Sequence, residues 1–371
     1  MNTEQIREGS LATNGPPVKI RGRGATANPP NRFERIEFEP DAEALAGSPP
    51  ERTQYFRDST RTAITRNNSP DVGFDYSVNP YRGCEHGCIY CYARPTHEYF
   101  GMSAGLDFET KILVKEEAPE LLRRELSSPK WRPAPIIMSG VTDPYQPIER
   151  RLELTRRCLA VLADFRNPVA IITKNQLVMR DLDLLGQLAA DSAAVVNISI
   201  TTLDSELQRV MEPRTSSPVK RLAAVADLAA AGVRVGVMVA PVIPGLTDHE
   251  LPAILKAAAA AGASSAGFIP LRLPHGVSRL FEDWLATHFP ERKSKVLGRV
   301  RQVRGGRLND PRFGSRMRGE GPHASNMRDL FHAACQKYGL KTGRAELSAE
   351  AWRGPASAGA ASGGGAQLTL F

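Results

Sequence analysis

From Asp75 to Leu273 the chain repeats one pattern, a short β-branched or aliphatic run followed by a longer amphipathic stretch. The runs fall at 74–79, 135–141, 169–174, 194–201, 233–242 and 266–271, with helical candidates at 116–126, 153–164, 179–190, 218–231 and 248–261 between them. Runs this short read as strands, and the longer periodic stretches as helices. Gly232 and Gly262 stand where helix stops belong, each just before a strand. Strands separated by helices pair in parallel, because a parallel neighbour needs a crossover connection. The expected fold class is therefore α/β, a (βα)6 series that closes partway into a TIM-like barrel. In such an architecture the active site lies at the C-terminal strand ends.

At 371 residues the chain has room for this core and for appendages. Residues 1–55, rich in proline pairs and poor in hydrophobic periodicity, read as an extended or disordered arm. The core occupies 56–275, and 276–345 forms a helical, basic C-terminal region with helices expected at 278–288 and 323–338. A Gly, Ala and Ser linker follows at 346–366, then a pentapeptide tail at 367–371. No stretch is apolar for long enough to span a bilayer, and Met1 to Pro17 is polar where a secretory leader would be apolar. The expectation is a cytoplasmic protein without a membrane partner. The formal charge of +8, from 48 basic and 40 acidic side chains, is informative only where it concentrates. Between Arg292 and Arg318 ten Lys or Arg accompany a single acid, Asp310. That stretch reads either as a solvated helix and loop face or as a phosphate-facing patch.

Three of the five cysteines lie within eight residues, in Asn79-Pro-Tyr-Arg-Gly-Cys84-Glu-His-Gly-Cys88-Ile-Tyr-Cys91. Such clustering favours metal ligation over a disulfide framework. The C-x3-C-x2-C spacing lets Cys84, Cys88 and Cys91 grip three corners of a cubane [4Fe–4S] cluster and leaves the fourth iron free for a substrate or cofactor. Gly83 and Gly87 suit a tight loop whose N–H groups serve the cluster sulfurs. The alternative is a zinc site with His86 or His97 as fourth ligand, but no second ligand pair follows at zinc-finger spacing. Cys158 and Cys335, each alone in an amphipathic stretch, read as small core residues.

The cysteine spacing, Tyr90 just before the last cysteine and the position after the first strand of a (βα)6 series resemble the radical S-adenosylmethionine (SAM) superfamily. Within it the likeness is to the spore photoproduct lyase and DNA repair photolyase-like branch. Ser139-Gly-Val-Thr-Asp-Pro144, Thr173-Lys174, Asn197-Ile-Ser199, Glu212-Pro-Arg-Thr-Ser216 and Gly236-Val-Met-Val-Ala-Pro241 carry it. The resemblance implies a radical SAM barrel holding a [4Fe–4S] cluster and SAM, and an external electron donor. One-electron cleavage of SAM would yield a 5′-deoxyadenosyl radical that abstracts hydrogen from the substrate. Tyr90 would lie against the adenine through its backbone. Ser139, Gly140 and Thr142 would bind the methionine amino group, and Lys174 and Ser199 the SAM carboxylate and ribose. The lyase's hydrogen-donating cysteine has no counterpart, because the sequence reads Gly140-Val141-Thr142. Tyr92 and Tyr145 are the candidates to shuttle a hydrogen atom instead, each equally readable as a packing aromatic with its hydroxyl at the rim.

The tail Gln367-Leu-Thr-Leu-Phe371 resembles the peptide by which bacterial polymerases and repair proteins bind the sliding clamp. A flexible tether would deliver an extended segment whose Leu370 and Phe371 fill an apolar pocket. Cluster, basic stretch and tail together point to an enzyme acting on nucleic acid, a DNA repair or base-modifying lyase, with Arg301 to Arg318 gripping phosphates of a flipped or single-stranded substrate. Two other readings stay open: a radical SAM enzyme on a protein or small molecule, and a catalytically silent, metal-stabilised module that docks on a clamp or nucleic acid.

Overall fold

The computed structural model describes residues 20–34, 52–343 and 345–354. Six parallel strands form its centre: β3 (Tyr76–Val78), β6 (Ile136–Met138), β7 (Val169–Thr173), β8 (Ala194–Ser199), β9 (Arg234–Val242) and β10 (Ser265–Pro270). They neighbour one another in that order, as the six runs foretold. Val195, Val196 and Ile198 of β8 are buried whichever way they point, which a strand covered by helices on both faces requires. The sheet stays open. β2 (Ile64–Arg66) pairs antiparallel with β3 at one edge, and β11 (Lys341–Thr342) extends the other edge beyond β10.

The intervening helices lie close to their expected positions, at Ala118–Leu126, Leu154–Phe165, Leu182–Ala190, Pro218–Ala230 and Leu251–Ala260. The fourth shows why. Pro218 pre-sets the first turn, Arg221, Ala224, Val225 and Leu228 face inward, and Gly232, at φ +77°, lets the chain turn back so that Val233 N–H meets Leu228 O at 3.0 Å. These helices pack on the sheet through one large cluster including Leu159, Ile171, Val196, Val235, Leu228 and Ile254, and both Cys158 and Cys335 are buried in it.

Three features depart from the pattern. β1 (Gln54–Arg57), β5 (Lys111–Val114) and β4 (Tyr81–Arg82) form a separate small sheet, which the exposed residues of β1 gave no period to reveal. The start of the basic stretch is a regular helix, Pro290–Val303, whose Val296, Leu297, Val300 and Val303 are buried behind a lysine and arginine face. With Val277–His288 it builds a second apolar cluster on Ile89, Tyr90, Met211 and Leu273, against the loop that carries the cysteines. Residues 20–34 hold no helix or strand, yet Arg23 and Ala25 are buried. Among the described residues no helix is long and apolar enough to cross a membrane.

Candidate active site

The cysteine loop leaves β4 and wraps tightly. Gly83 and Gly87 take φ values of +78° and +65°, and a Cβ would fall 2.8 Å from the His97 ring in the first case and 2.6 Å from Glu109 in the second. Only glycine suits such a path. Cys84 N–H donates to Phe108 O (2.8 Å), Gly87 N–H to Cys84 O (3.3 Å) and Cys91 N–H to Cys88 O (3.2 Å), so the backbone holds the three thiols on one loop of two consecutive turns. Buried Arg94 braces that loop from behind, donating to the carbonyls of Cys88 (3.0 Å) and Gly105 (2.9 Å) and pairing with Glu109.

The segment around Gly24 closes over this loop. Glu109, itself fully buried, accepts Gly24 N–H at 3.0 Å and Ala25 N–H at 2.8 Å. A Cβ on Gly24 would sit 1.8 Å from Gly87 O, so the two backbones touch. Gly24→Ala is therefore expected to push the segment off the loop and destabilise the protein by about 2 kcal/mol. Chemical denaturation measures this, and parental stability would show that the contact does not form.

Strand ends deliver the rest. After β6, Ser139 adopts φ 151° and Gly140 φ +114° with open space where its Cβ would be. A non-glycine residue in that region is strained, and such strain concentrates at binding sites. Ser139 and Gly140 are partly exposed, whereas Thr142 is buried with its hydroxyl donating to Tyr81 O at 3.3 Å. Asp143 ends the turn by accepting Thr173 Oγ1 (2.7 Å) and Lys174 N–H (2.8 Å), and it lies 3.3 Å from Nδ1 of buried His86. Burial opposes ionisation of both groups, but each charge favours the other and Cys84 adds its own charge and hydrogen bond at His86, raising His86 to about 10 and lowering Asp143. His86 Nδ1 has no hydrogen bond of good geometry, while its Nε2 lies 3.3 Å from the Asn175 amide.

Lys174, at the end of β7, points its ammonium at Ala240 O (3.3 Å), at Glu212 (3.8 Å) and over the Tyr90 ring (5.8 Å). Glu212 is the hub. Fully buried, it accepts the Tyr90 and Thr201 hydroxyls and pairs with Arg221, whose guanidinium also donates to Ser199 O at 2.9 Å. Burial would raise its pKa, yet the Arg221 and Lys174 charges hold it at about 2. Because the folded value lies below the ordinary 4.5, Glu212 stabilises the fold above about pH 4.5, and that contribution is lost as pH falls towards about 2.

The two tyrosines have different settings. Tyr92 is 48% exposed, and its hydroxyl donates to Gly140 O at 2.6 Å, linking the cysteine loop to the β6 turn. Tyr145 is fully buried, and its hydroxyl donates to Asp181 at 3.0 Å within a network of Arg156, Arg180 and Glu149. The fold thus brings Tyr90, Lys174 and Ser199 together around Glu212, and joins Tyr92 to the Ser139–Thr142 turn. Glu212 and Asp143 both lie in segments that carry the family resemblance, but no local pattern gives either a role, and Arg221 lies outside those segments. His86 was weighed only as a zinc ligand.

The donor set fits a cluster. Burial pushes the Cys88 and Cys91 thiols up, with the Glu212 charge adding to the rise at Cys88 and the neighbouring cysteines at both, so bound iron would supply the missing positive charge. Among the described residues no three His, Cys, Asp or Glu side chains converge as ligands of one ion. His97 is turned away from the thiols' chemistry, with Nε2 at 2.8 Å from Lys111 O. For SAM, Lys174 keeps ammonium donors beyond its one carbonyl acceptor, and the strained Ser139–Gly140 turn offers open backbone beside it. Much of the basic stretch, by contrast, is internally committed. Arg304 is buried on the carbonyls of Leu271 and Arg316, Arg312 pairs with Asp310 and Glu320, and Arg316 pairs with Asp71.

A sequence model of the Radical SAM superfamily matches residues 78–258. An uncharacterised protein of Mycobacterium tuberculosis is 41% identical over 230 residues, 62% of this chain and 68% of that protein. Another, from Methanocaldococcus jannaschii, is 34% identical over 178 residues, 48% of this chain and 64% of that one. Among solved structures, a spore photoproduct lyase complexed with dinucleoside spore photoproduct superposes with a TM-score of 0.56 at 17% identity, over 78% of this chain and 81% of that one. A mutant lyase with bound AdoMet and dinucleoside spore photoproduct gives 0.55 at 17%, over 78% and 80%. At such identities the likeness is one of fold.

Proposed function

The chain belongs to the radical SAM superfamily, and from that premise we propose that it directs this chemistry at nucleic acid, in DNA repair or base modification. It is an enzyme whose cofactors are a [4Fe–4S] cluster and SAM. Bound there and reduced, the cluster would supply the single electron for reductive cleavage of the SAM sulfonium. In the proposed assignment Cys84, Cys88 and Cys91 hold the cluster. Lys174 carries the positive charge that a desolvated carboxylate needs, kept in place by Glu212 and Ala240 O. Ser199 adds a buried hydroxyl at the end of β8, and Tyr90 lines the same space with its own hydroxyl tied to Glu212. Ser139 and Gly140 offer partly exposed backbone and a hydroxyl at the end of β6, and Thr142 supports that turn through its own hydroxyl on Tyr81 O. Of the two tyrosines, Tyr145 is sealed against Asp181, so Tyr92 is the one that can meet a substrate and pass a hydrogen atom.

The nucleic-acid part rests on the setting of Cys91. Its neighbour Tyr92 borders a cleft whose walls carry Arg32, Arg272 and Arg316, and a basic mouth suits a phosphate-bearing substrate. The proposed site of action is cytoplasmic, with an external electron donor. Adding single-stranded DNA or RNA to the reduced, cluster-loaded enzyme should raise SAM turnover. Turnover indifferent to nucleic acid, but raised by a protein or small molecule, would overturn this assignment. The clamp-like tail Gln367–Phe371 lies outside the described residues. On the proposed reading, deleting those five residues abolishes capture by a bacterial sliding clamp, and capture that survives the deletion removes that partner.

A further inference from the structure

Beside the cysteine loop lies a cleft of about 250 Å³ bordered by Arg32, Tyr92, Tyr99, Arg272, His275 and Arg316. Two of its three guanidinium groups are already held. Arg32 pairs with Glu98 at 2.6 Å, and Arg316 pairs with Asp71 while donating to Ser69 Oγ at 2.7 Å. Asp310, the carboxylate in the cleft wall, is taken by Arg312 and Ser315. Arg272 differs: it forms no hydrogen bond or ion pair with any described residue. Its guanidinium lies over the Tyr92 ring at 4.5 Å and is otherwise left to the cleft.

A guanidinium carries five N–H donors in a planar fork, and keeping one partly buried without acceptors is unfavourable. Burial and the Arg316 charge both push its pKa down, with only Tyr92, Cys91 and Asp71 acting the other way. The group that would relieve this is an anion with paired oxygens, as a phosphate diester has. Next to it stands a surface for a planar ring. Tyr99 is 70% exposed and stacks on Phe33, itself 57% exposed, with centroids 5.1 Å apart. Exposed aromatic faces beside arginines are how single-stranded nucleic acid is held without sequence preference.

We propose that this cleft receives one nucleotide of a single-stranded or flipped-out segment, with Arg272 gripping a backbone phosphate and Tyr99 stacking on a base. The inference rests on the nucleic-acid reading above and gives it a binding residue. The strand passes Tyr92, which adjoins Cys91, so a base held on Tyr99 is delivered to the mouth of the cysteine loop.

The test is fluorescence anisotropy of a labelled short single-stranded oligodeoxynucleotide with the cluster-loaded enzyme across a salt series. Arg272→Gln should weaken binding roughly tenfold and make the salt slope shallower by about 0.7, the share of one phosphate contact. Tyr99→Ala should also weaken it roughly tenfold while leaving the slope unchanged, because stacking releases no counterions. Arg209→Gln, at an exposed arginine paired with Glu206 and outside the cleft, should bind like the parent. Iron content and visible absorbance show whether each variant is folded and loaded. Parental affinity and slope in Arg272→Gln, or an equal loss in Arg209→Gln, would overturn the proposal while leaving nucleic acid as the substrate. No binding by the parent protein would instead overturn the nucleic-acid reading itself. Displacement by deoxythymidine monophosphate as effective as by the unlabelled oligomer would replace the strand with a free nucleotide.

Discussion

Replacing Cys91 by alanine is expected to strip the protein of its visible cluster absorbance, bring bound iron to background and abolish 5′-deoxyadenosine formation. The three thiols sit on one loop of two consecutive turns, fixed by Gly87 N–H to Cys84 O, Cys91 N–H to Cys88 O and Cys84 N–H to Phe108 O. Among the described residues neither nearby histidine is free to replace a lost thiolate, because His97 is bonded to Lys111 O and His86 is held between Asp143 and Asn175. Two thiolates cannot hold a cubane that also needs an open iron. Cys158→Ala provides the contrast. That cysteine is buried in the main core, away from the site, so its loss should cost some stability while iron content and SAM cleavage stay at parental levels. Equal loss of iron in both variants would mean that the effect of Cys91→Ala is only unfolding.

Glu212→Gln should be the most damaging change outside the thiols. The amide can still accept from the Tyr90 and Thr201 hydroxyls, but it cannot balance Arg221, which is 1% exposed, or Lys174. Breaking a buried pair by removing one partner leaves an uncompensated charge and costs about 3–5 kcal/mol. Denaturant midpoints at neutral pH measure that cost. The variant should also lose part of the parent's acid sensitivity between about pH 4.5 and about 2, the window set by the depressed carboxyl. Parental stability and an unchanged acid limb would show that Arg221 is balanced by something other than Glu212.

Much of the sheet was legible in the sequence for a simple reason. β7 and β8 are covered on both faces, so their sequences are continuous aliphatic runs, and Gly232 and Gly262 mark the turns that lead into β9 and β10. The elements that were missed lack that signal. β1 is exposed at every residue, and the helix Pro290–Val303 hides four buried aliphatics behind lysines and arginines. The cysteines were legible because their spacing is local. Glu212 was not, since its partners lie nine residues ahead at Arg221 and 122 residues back at Tyr90, and only the fold brings those three together. The same holds for Gly24, whose closeness to Gly87 follows from a long return of the chain that no short pattern encodes. The basic stretch was legible as charge but not as destination, because Arg304 turns inward and Arg316 is held by Asp71, while Arg272, outside that stretch, faces the cleft without an ion-pair partner among the described residues.

The central claim is that Cys84, Cys88 and Cys91 carry a cluster that cleaves SAM. Its most direct test is anaerobic reconstitution with iron and sulfide, reduction with dithionite in the presence of SAM, and chromatography for 5′-deoxyadenosine. The parent protein should form 5′-deoxyadenosine and Cys91→Ala should form none. A reduced, iron-loaded parent that yields no 5′-deoxyadenosine would contradict the account.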